Sequence, residues 1–332
     1  MAAAYGDSPG TACPGVPAKG PMTCWPGIAS MGRVLTLPDK RGGLFYYDSN
    51  SISGVRDKDT STAAGKPVII LIHGLGDEAD SWRHLIPRLS AAGYRVAAPD
   101  LPGFGRSAAA GRIHIGVHAE AVIALAGAVN TSGGGPVILA GSSMGAVVAE
   151  TAALRRPGLA KALILIDGCF PMRGGVSGGL MLMGLPFIGR KWYRSFRRNH
   201  EGAWRSLFPY YHDLEGMREE DRRFLRERVI ARVESETQER AYFASLRSLI
   251  FSNLRSMFPC GRSGLARRIK AFDGRILILW GGGDRVLPPE TAAALRALRP
   301  DSAWETIAGA GHLPHQEQPE ETAAAILRFL DR

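Results

Sequence analysis

Residues 137–150 read VILAGSSMGAVVAE, and this stretch decides the fold. Its first four residues are continuously apolar, which is typical of a strand buried on both faces of a parallel sheet. The run from Met144 to Glu150 can form a helix. Between the two, Gly141-Ser142-Ser143-Met144-Gly145 matches G-x-S-x-G, in which a serine at a sharp strand-to-helix turn needs small residues on both sides. The stretch therefore predicts a nucleophilic serine, Ser143, at the end of a strand.

Similar apolar runs recur along the chain and alternate with helical patterns. This alternation predicts a parallel sheet with helices on both sides, whose ligands bind at the carboxyl ends of the strands. A hairpin over 34–47 precedes it. The predicted strands are 68–72, 95–98, 137–140, 162–166, 276–280 and 303–307, and the predicted helices are 81–92, 114–129, 144–155, 289–298 and 320–330.

Composition divides the 332 residues into three parts. Residues 1–32 are rich in Gly, Pro, Ala and Ser without periodicity, so we expect a flexible N-terminal tail. Residues 33–168 and 273–332 form the predicted α/β core. Residues 169–272 contain no buried-strand run and are helical and charged, so they predict a helical cap over the strand ends.

The overall composition excludes several classes of protein. With 45% hydrophobic and 22% charged residues, the chain is neither disordered, fibrous nor a coiled coil. No run reaches the roughly 18–20 apolar residues of a membrane helix and no secretory signal is evident, so we expect no stable membrane insertion. The four cysteines lack metal-ligand spacing, and we expect reduced thiols in a cytoplasmic protein: Cys13, Cys24, Cys169 and Cys260.

A second G-x-S-x-G match centres on Ser177. No strand pattern precedes it and no helix pattern follows it, so we interpret Ser177 as a loop residue. Ser143 also has the advantage of a helix N-terminus, whose dipole favours developing negative charge.

A serine nucleophile needs a base, and the base needs an orienting acid. His312 lies in a turn between the last strand and the last helix, and His315 is its rival. Asp284 follows the strand 276–280, with Asp167 at the end of the preceding strand as the alternative. The order Ser143, Asp284, His312 is the one expected for such a triad.

The segment His73-Gly74-Leu75-Gly76 follows the strand 68–72. The backbone N–H groups of Leu75 and Met144 could together bind the oxyanion of a tetrahedral acyl intermediate. Gly74 and Gly76 would let the loop approach closely, and we interpret His73 as a support for it. Phe104, in the turn 100–107, is a candidate pocket residue.

Five segments together resemble the α/β-hydrolase superfamily. They are HGLGDEADSW (73–82), DLPGFGRS (100–107), GSSMG (141–145), WGGGDRVLP (280–288) and GAGHLPHQEQPE (309–320). The resemblance implies an α/β-hydrolase fold with an eight-stranded, mostly parallel sheet, a helical cap between strands six and seven, and a Ser143/His312/Asp284 triad that needs no cofactor or metal. It disfavours dehalogenases and epoxide hydrolases, which carry aspartate at this elbow.

Two segments of the predicted cap bear on the substrate. The apolar run 180–188 could line an acyl or aromatic pocket through Met181, Met183 and Phe187, or simply pack the cap. The basic segment 190–198 has interleaved aromatics. It predicts either a solvated helix face or a docking site for an anionic substrate, a carrier protein or a membrane surface, and nothing else in the sequence supports nucleic-acid binding.

These features predict a serine hydrolase that cleaves a carboxylic ester, lactone or thioester through an acyl-enzyme. The expected partner is a small acyl substrate with an apolar part. Three alternatives remain open: a hydrolase of the carbon–carbon bond in a diketone, an acyltransferase, and a non-hydrolytic receptor or cyclase that uses the same pocket.

Overall fold

The computed structural model describes residues 23–38, 42–52, 66–109, 111–130, 135–169, 182–185, 187–257 and 268–332. The described residues form one eight-stranded sheet with the strand order β1-β2-β4-β3-β5-β6-β7-β8. The β1–β2 and β2–β4 pairs are antiparallel and the other pairs are parallel, so the predicted sheet is confirmed. The strands are β1 (Gly32–Thr36), β2 (Gly43–Asp48), β3 (Ile69–Ile72), β4 (Val96–Pro99), β5 (Val137–Ser142), β6 (Ala160–Ile166), β7 (Arg275–Gly281) and β8 (Ala303–Ile307).

Helices lie on both sides of the sheet and between β6 and β7. Short 3₁₀ turns, Ala79–Trp82 and Pro289–Ala292, precede α1 and α8, where the sequence predicted continuous helices. The described α-helices are α1 (Leu85–Ala91), α2 (Ile115–Val129), α3 (Met144–Arg155), α4 (Ile188–Ser195), α5 (His200–Arg205), α6 (Glu219–Glu234), α7 (Glu236–Met257), α8 (Ala293–Leu298), α9 (Pro314–Glu317) and α10 (Pro319–Leu330).

The central strand β3 is buried along its whole length. Ile70 and Ile72 face a hydrophobic cluster shared with α2 and α3, while Ile69 and Leu71 face another shared with α1 and α10. A strand that packs against helices on both faces has no position for a polar side chain, which explains the unbroken apolar run in the sequence.

Helices α4 to α7 pack around a hydrophobic cluster of their own that includes Trp204 and Phe243. We call the described residues within 182–257 the helical cap. It lies against the loops that follow β3 and β8, since Arg232 bonds Asp77 at 2.6 Å and His312 N donates to Tyr210 O at 2.8 Å. The cap limits expected from the sequence, 169 and 272, stay a prediction because residues 170–181 and 258–267 lie outside the described residues.

The segment 23–32 is part of the folded core, and the expected flexible tail is therefore wrong for these residues. Pro26–Met31 forms a 3₁₀ helix whose Ile28 and Met31 side chains are buried in the hydrophobic cluster that also contains residues of β2, β3 and α1. Trp25 N donates to Asp80 Oδ1 at 2.8 Å. Apolar side chains within a Gly- and Pro-rich stretch account for the packing, and residues 1–22 lie outside the described part of the chain.

The cysteines differ from the sequence-based expectation. Cys169 is a buried free thiol, whereas Cys24 is disulfide-bonded, so the expectation of reduced thiols is wrong for Cys24. The cytoplasmic location stays a prediction. Within the described residues, every helix is too short or too polar to cross a membrane.

Candidate active site

Ser143 lies between β5 and α3 with a positive φ of 53° and a ψ of −118°. Positive φ in a non-glycine residue costs about 1–3 kcal/mol and persists only where the surroundings enforce it. Ser143 N donates to Ile166 O at 2.8 Å. A Cβ at Gly141 would overlap the carbonyl of Gly145, and a Cβ at Gly145 would overlap that of Ile72. Both glycines of the motif are thus sterically required.

His312 lies in the turn between β8 and α9, and only 2% of its surface is exposed. Its backbone N–H donates to Tyr210 O of the cap at 2.8 Å, and its Nδ1 lies 2.8 Å from Asp284 Oδ2. Glu317 braces the same turn by accepting the N–H of Gly311 at 2.7 Å. The cap, the turn and the aspartate therefore fix the imidazole together.

Asp284 follows β7, and its second carboxyl oxygen accepts the N–H groups of Val286 and Leu287 at 2.7 and 3.0 Å. Burial works against ionisation of this carboxyl, but the bonds from His312 and the two backbone N–H groups outweigh it. The pKa of Asp284 consequently lies below its usual value. An ionised carboxylate at this position is suited to orient a histidine.

Asp167, the alternative acid, ends β6 and is fully buried. Its Oδ1 accepts the Gly281 N–H at 2.8 Å, and burial followed by the negative charge of Asp284 raises its pKa well above the usual value. A group that could hold a metal ion is formed by Asp167, Asp284 and His312. Each offers one ligand atom, and these atoms lie within 4.8 Å of one another. The His312–Asp284 hydrogen bond already occupies two of these groups.

His315, the alternative base, is fully buried and is not among the residues that line the cavity with Ser143. Its Nε2 lies 2.8 Å from Ser81 Oγ, and its ring packs on Trp82 with the centroids 4.1 Å apart. Burial holds the pKa of His315 well below its usual value. The other G-x-S-x-G serine, Ser177, lies outside the described residues.

The loop after β3 passes directly beside Ser143. His73 Nε2 accepts the Leu101 N–H at 2.9 Å, so Nδ1 carries the proton and donates to Gly74 O at 2.8 Å. A Cβ at Gly74 would lie 3.4 Å from the Ser143 Cβ, so the loop approaches closely. Met144 is the first residue of α3, and an N–H in a first helical turn has no acceptor within the helix.

Ser143 and His312 line one cavity between the core and the cap. Their side chains are not hydrogen-bonded to each other in the described structure, as is common for catalytic pairs before a substrate binds. Leu75 and Gly76 lie on the core side of the cavity. The cap side is mainly aromatic and aliphatic, with Tyr193, Phe196, Tyr210, Tyr242 and Leu249.

The structure does not bring the other predicted pocket residues to this wall. Phe104 is fully buried, with its ring 5.5 Å from that of His73, so it supports the loop from beneath. Met183 packs against the cluster inside the cap, and Phe187 is 88% exposed. These three residues are not among those that line the described cavity, and Met183 instead shows the alternative of simple cap packing. Met181 lies outside the described residues.

Sequence reasoning missed two charged residues of the cavity. Arg232 of α6 and Asp77 of the β3 loop are ion-paired at 2.6 Å, and both line the wall. Burial works against the charge of Arg232, but Glu78 and Asp77 outweigh it and raise the pKa of the guanidinium above its usual value. No local pattern signals this pair, because its members are 155 positions apart.

Comparison with known proteins identifies the family. Residues 69–325 match the family model described as "Alpha/beta hydrolase family". The chain belongs to this family. The hydrolase is 27% identical over 277 residues to a 2-hydroxy-6-oxononadienedioate/2-hydroxy-6-oxononatrienedioate hydrolase of Burkholderia vietnamiensis, with 82% of this chain and 89% of that protein covered.

Two further relatives show how widely the family varies. The hydrolase is 30% identical over 289 residues to the magnesium-chelatase 30 kDa subunit of Rhodobacter capsulatus, with 82% of this chain and 89% of that protein covered. A thermophilic esterase from Thermogutta terrifontis superposes with a TM-score of 0.66 at 22% identity, covering 90% of this chain and 98% of the esterase, which shows the shared fold. The predicted superfamily and hydrolase class are thereby confirmed.

Proposed function

We propose that the hydrolase cleaves a carboxylic ester, lactone or thioester through an acyl-enzyme on Ser143. One observation carries the proposal: His312 Nδ1 is bonded to Asp284 Oδ2 at 2.8 Å beside a cavity that Ser143 also lines. Because Nδ1 is engaged by the carboxylate, Nε2 is left as the basic nitrogen. That arrangement suits proton transfer from a serine hydroxyl.

In the first step, Ser143 Oγ attacks the substrate carbonyl while His312 Nε2 accepts its proton. Asp284 stabilises the imidazolium that forms and keeps the ring in one orientation. The positive φ of Ser143 supports this role, because it projects the side chain out of the strand-to-helix turn.

The tetrahedral intermediate carries a negatively charged oxygen. We assign its stabilisation to the backbone N–H groups of Leu75 and Met144, which belong to the loop beside Ser143 and the first turn of α3. Two fixed donors aimed at one oxygen contribute about 3–4 kcal/mol each to transition-state stabilisation in acyl transfer. The α3 dipole adds to their effect.

Collapse of the intermediate expels the alcohol or thiol, which takes the proton from His312. A water molecule, deprotonated by His312, then attacks the acyl-enzyme and releases the acid. The reaction needs no cofactor. The aromatic and aliphatic cap wall favours a small-molecule substrate with an apolar acyl or aryl part.

Labelling with a fluorophosphonate, followed by intact-mass measurement, tests the assignment. We expect one adduct on the wild type and on Ser177→Ala, the matched control from the second G-x-S-x-G, and none on Ser143→Ala. An unlabelled wild type, or an undiminished adduct on Ser143→Ala, would refute the nucleophile.

Hydrolysis of a carbon–carbon bond in a diketone is the second candidate. It is favoured by the relative from Burkholderia vietnamiensis, whose name gives a dienedioate hydrolase. A substrate of that class carries carboxylates, whereas Arg232 of the cavity wall is already paired with Asp77 and Glu78, so the similarity to this relative is the observation that favours the second candidate.

The two reactions are distinguished by kcat/KM on purified protein for a ring-cleavage diketone and for an aryl ester. Faster turnover of the ester by about tenfold or more, equal to about 1.4 kcal/mol of transition-state stabilisation, supports the first candidate. Faster turnover of the diketone by a similar factor replaces it with the second.

A further inference from the structure

The basic segment 190–198 has no part in the proposed chemistry, yet it forms an unusual surface. Helix α4 buries Gly189 and Tyr193 and presents Ile188 and Trp192, which are 51% and 48% exposed, on its outer face. Phe187, immediately before the helix, is 88% exposed. Most large exposed apolar side chains of the described residues lie on the cap, at Leu182, Leu185, Phe187, Ile188, Trp192 and Phe251.

Positive charge surrounds these apolar residues. The segment 187–198 contains Arg190, Lys191, Arg194, Arg197 and Arg198 and no acidic residue. Three of the arginines share a single buried carboxylate, Glu239 of α7, at 3.8, 2.9 and 2.8 Å. Lys191 and Arg198 form no ion pair with any described residue, so the surface keeps a net positive charge.

The same surface continues into the cavity. Trp192 and Phe196 line the cavity wall, with ring centroids 4.5 Å apart, while Trp192 is also half exposed outside. A molecule seated on the outer face of α4 would therefore lie beside the cavity that contains Ser143.

From these observations we propose that the α4 surface of the cap docks on an anionic phospholipid surface. Exposed Phe, Ile and Trp beside Lys and Arg are the composition of helices that lie in the interface of a bilayer, with the apolar side chains among the acyl chains and the cations at the headgroups. Large exposed apolar patches rimmed by polar residues mark interaction sites. The docking is peripheral, and it does not depend on which reaction Ser143 performs.

Co-sedimentation with vesicles tests the proposal without using activity. The full-length protein binds vesicles of phosphatidylcholine with phosphatidylglycerol and remains in solution with vesicles of phosphatidylcholine alone. Raising the salt from about 0.1 M to about 1 M shortens the Debye length from about 10 Å to about 3 Å and releases it. A protein that stays in solution with both vesicles, or that binds both equally, overturns the proposal.

Two double variants identify the surface. Lys191→Glu/Arg198→Glu lowers the partition coefficient about 20-fold or more, since each basic residue near an anionic membrane contributes about fivefold. Phe187→Ser/Ile188→Ser lowers it by removing the apolar contact, since these side chains are 88% and 51% exposed at the start of α4. Circular dichroism and the melting temperature check that both variants are folded.

The matched control reverses two charges at the opposite end of the sheet. Arg156 and Lys161 are exposed near the amino end of β6, away from the cap. Arg156→Glu/Lys161→Glu changes the net charge by the same amount and retains vesicle binding. Equal loss of binding in this control would assign the effect to the overall charge of +10 and contradict the α4 surface.

Discussion

Asp284 and Asp167 are aspartates at neighbouring strand ends whose surroundings shift their pKa values in opposite directions. Burial raises the pKa of Asp167 well above its usual value, and the charge of Asp284 adds to the effect. Asp284 is also buried, but its bonds to His312 and two backbone N–H groups lower its pKa overall. Asp284 is the aspartate that is bonded to His312 Nδ1, at 2.8 Å, and its pKa is the one that is lowered, so we assign the orienting role to Asp284.

Substitution of each aspartate by asparagine separates the two roles. We expect Asp284→Asn to lower kcat by about 10³–10⁴, because the amide favours the wrong imidazole tautomer. Asp167→Asn should stay within about tenfold of wild type, since its amide oxygen can still accept the Gly281 N–H. The measurement is steady-state kinetics on one aryl ester, and comparable losses in the two variants would contradict the assignment.

At the scale of elements, helix α6 attaches the cap to the core through buried charge. Arg228 is 1% exposed and bonds both carboxyl oxygens of Glu78, at 2.6 and 2.8 Å. Four residues later, Arg232 reaches Asp77 and Glu78 from the same face of the helix. These ion pairs therefore fix the position of helix α6, and with it the cap, relative to the loop that contains Leu75.

Removing Arg228 should destabilise the protein strongly. Arg228→Ala leaves the Glu78 carboxylate buried with one fewer partner, and we expect it to lower the free energy of unfolding by about 3–5 kcal/mol. The control is Arg155→Ala, whose pair with Glu120 has side chains 40% and 42% exposed and should cost about 0–1 kcal/mol. Urea denaturation measures both, and equal costs would show that the cap does not depend on this anchor.

The sheet could be predicted from the sequence because its determinants are local. The apolar run Val137–Ala140 indicates a strand, and the glycines on both sides of Ser143 indicate a turn. Both signals lie within a few consecutive residues. The ion pair between Arg228 and Glu78 joins residues that are 150 positions apart, and no local sequence pattern predicts it. The tyrosines of the cavity, Tyr210 and Tyr242, were missed for the same reason, because only the packing of the cap decides which of its aromatics face Ser143.

The exposed position of Phe187 illustrates a second limit. An apolar run predicts burial, so the segment 180–188 indicates either a pocket wall or packing within the cap. The composition of an apolar run is the same whether the run packs inside the protein or against another molecule. Phe187 lies on the outer surface of the cap.

At the scale of the whole molecule, several histidines are buried in their neutral form. Burial lowers the pKa of His118 to about 3 and holds that of His315 well below its usual value. Unfolded chains bind protons at histidine near pH 6.5. Between about pH 6.5 and the lower pKa of the folded state, these histidines bind more protons in the unfolded state than in the folded state. Their contribution to the free energy of unfolding is therefore greatest above about pH 6.5 and falls as the pH drops.

The pH dependence of unfolding tests this account. We expect the free energy of unfolding to fall between pH 7 and pH 5, by up to about 1.4 kcal/mol per pH unit for each such histidine. His118→Gln, which can still bond Ser245, should reduce the slope. His200→Gln, an exposed histidine of the cap, is the control and should leave it unchanged. Identical slopes in all three proteins would contradict the role of burial.

The most direct test of the proposed chemistry is to find the acyl group itself. The wild-type enzyme is mixed with a 4-nitrophenyl ester, quenched in acid before turnover is complete, digested and mapped by mass spectrometry. We predict a burst of nitrophenol and an acyl group on the peptide that contains Ser143, with neither in His312→Ala. An acyl group on another residue, or turnover with Ser143 unmodified at every time point, would contradict the account.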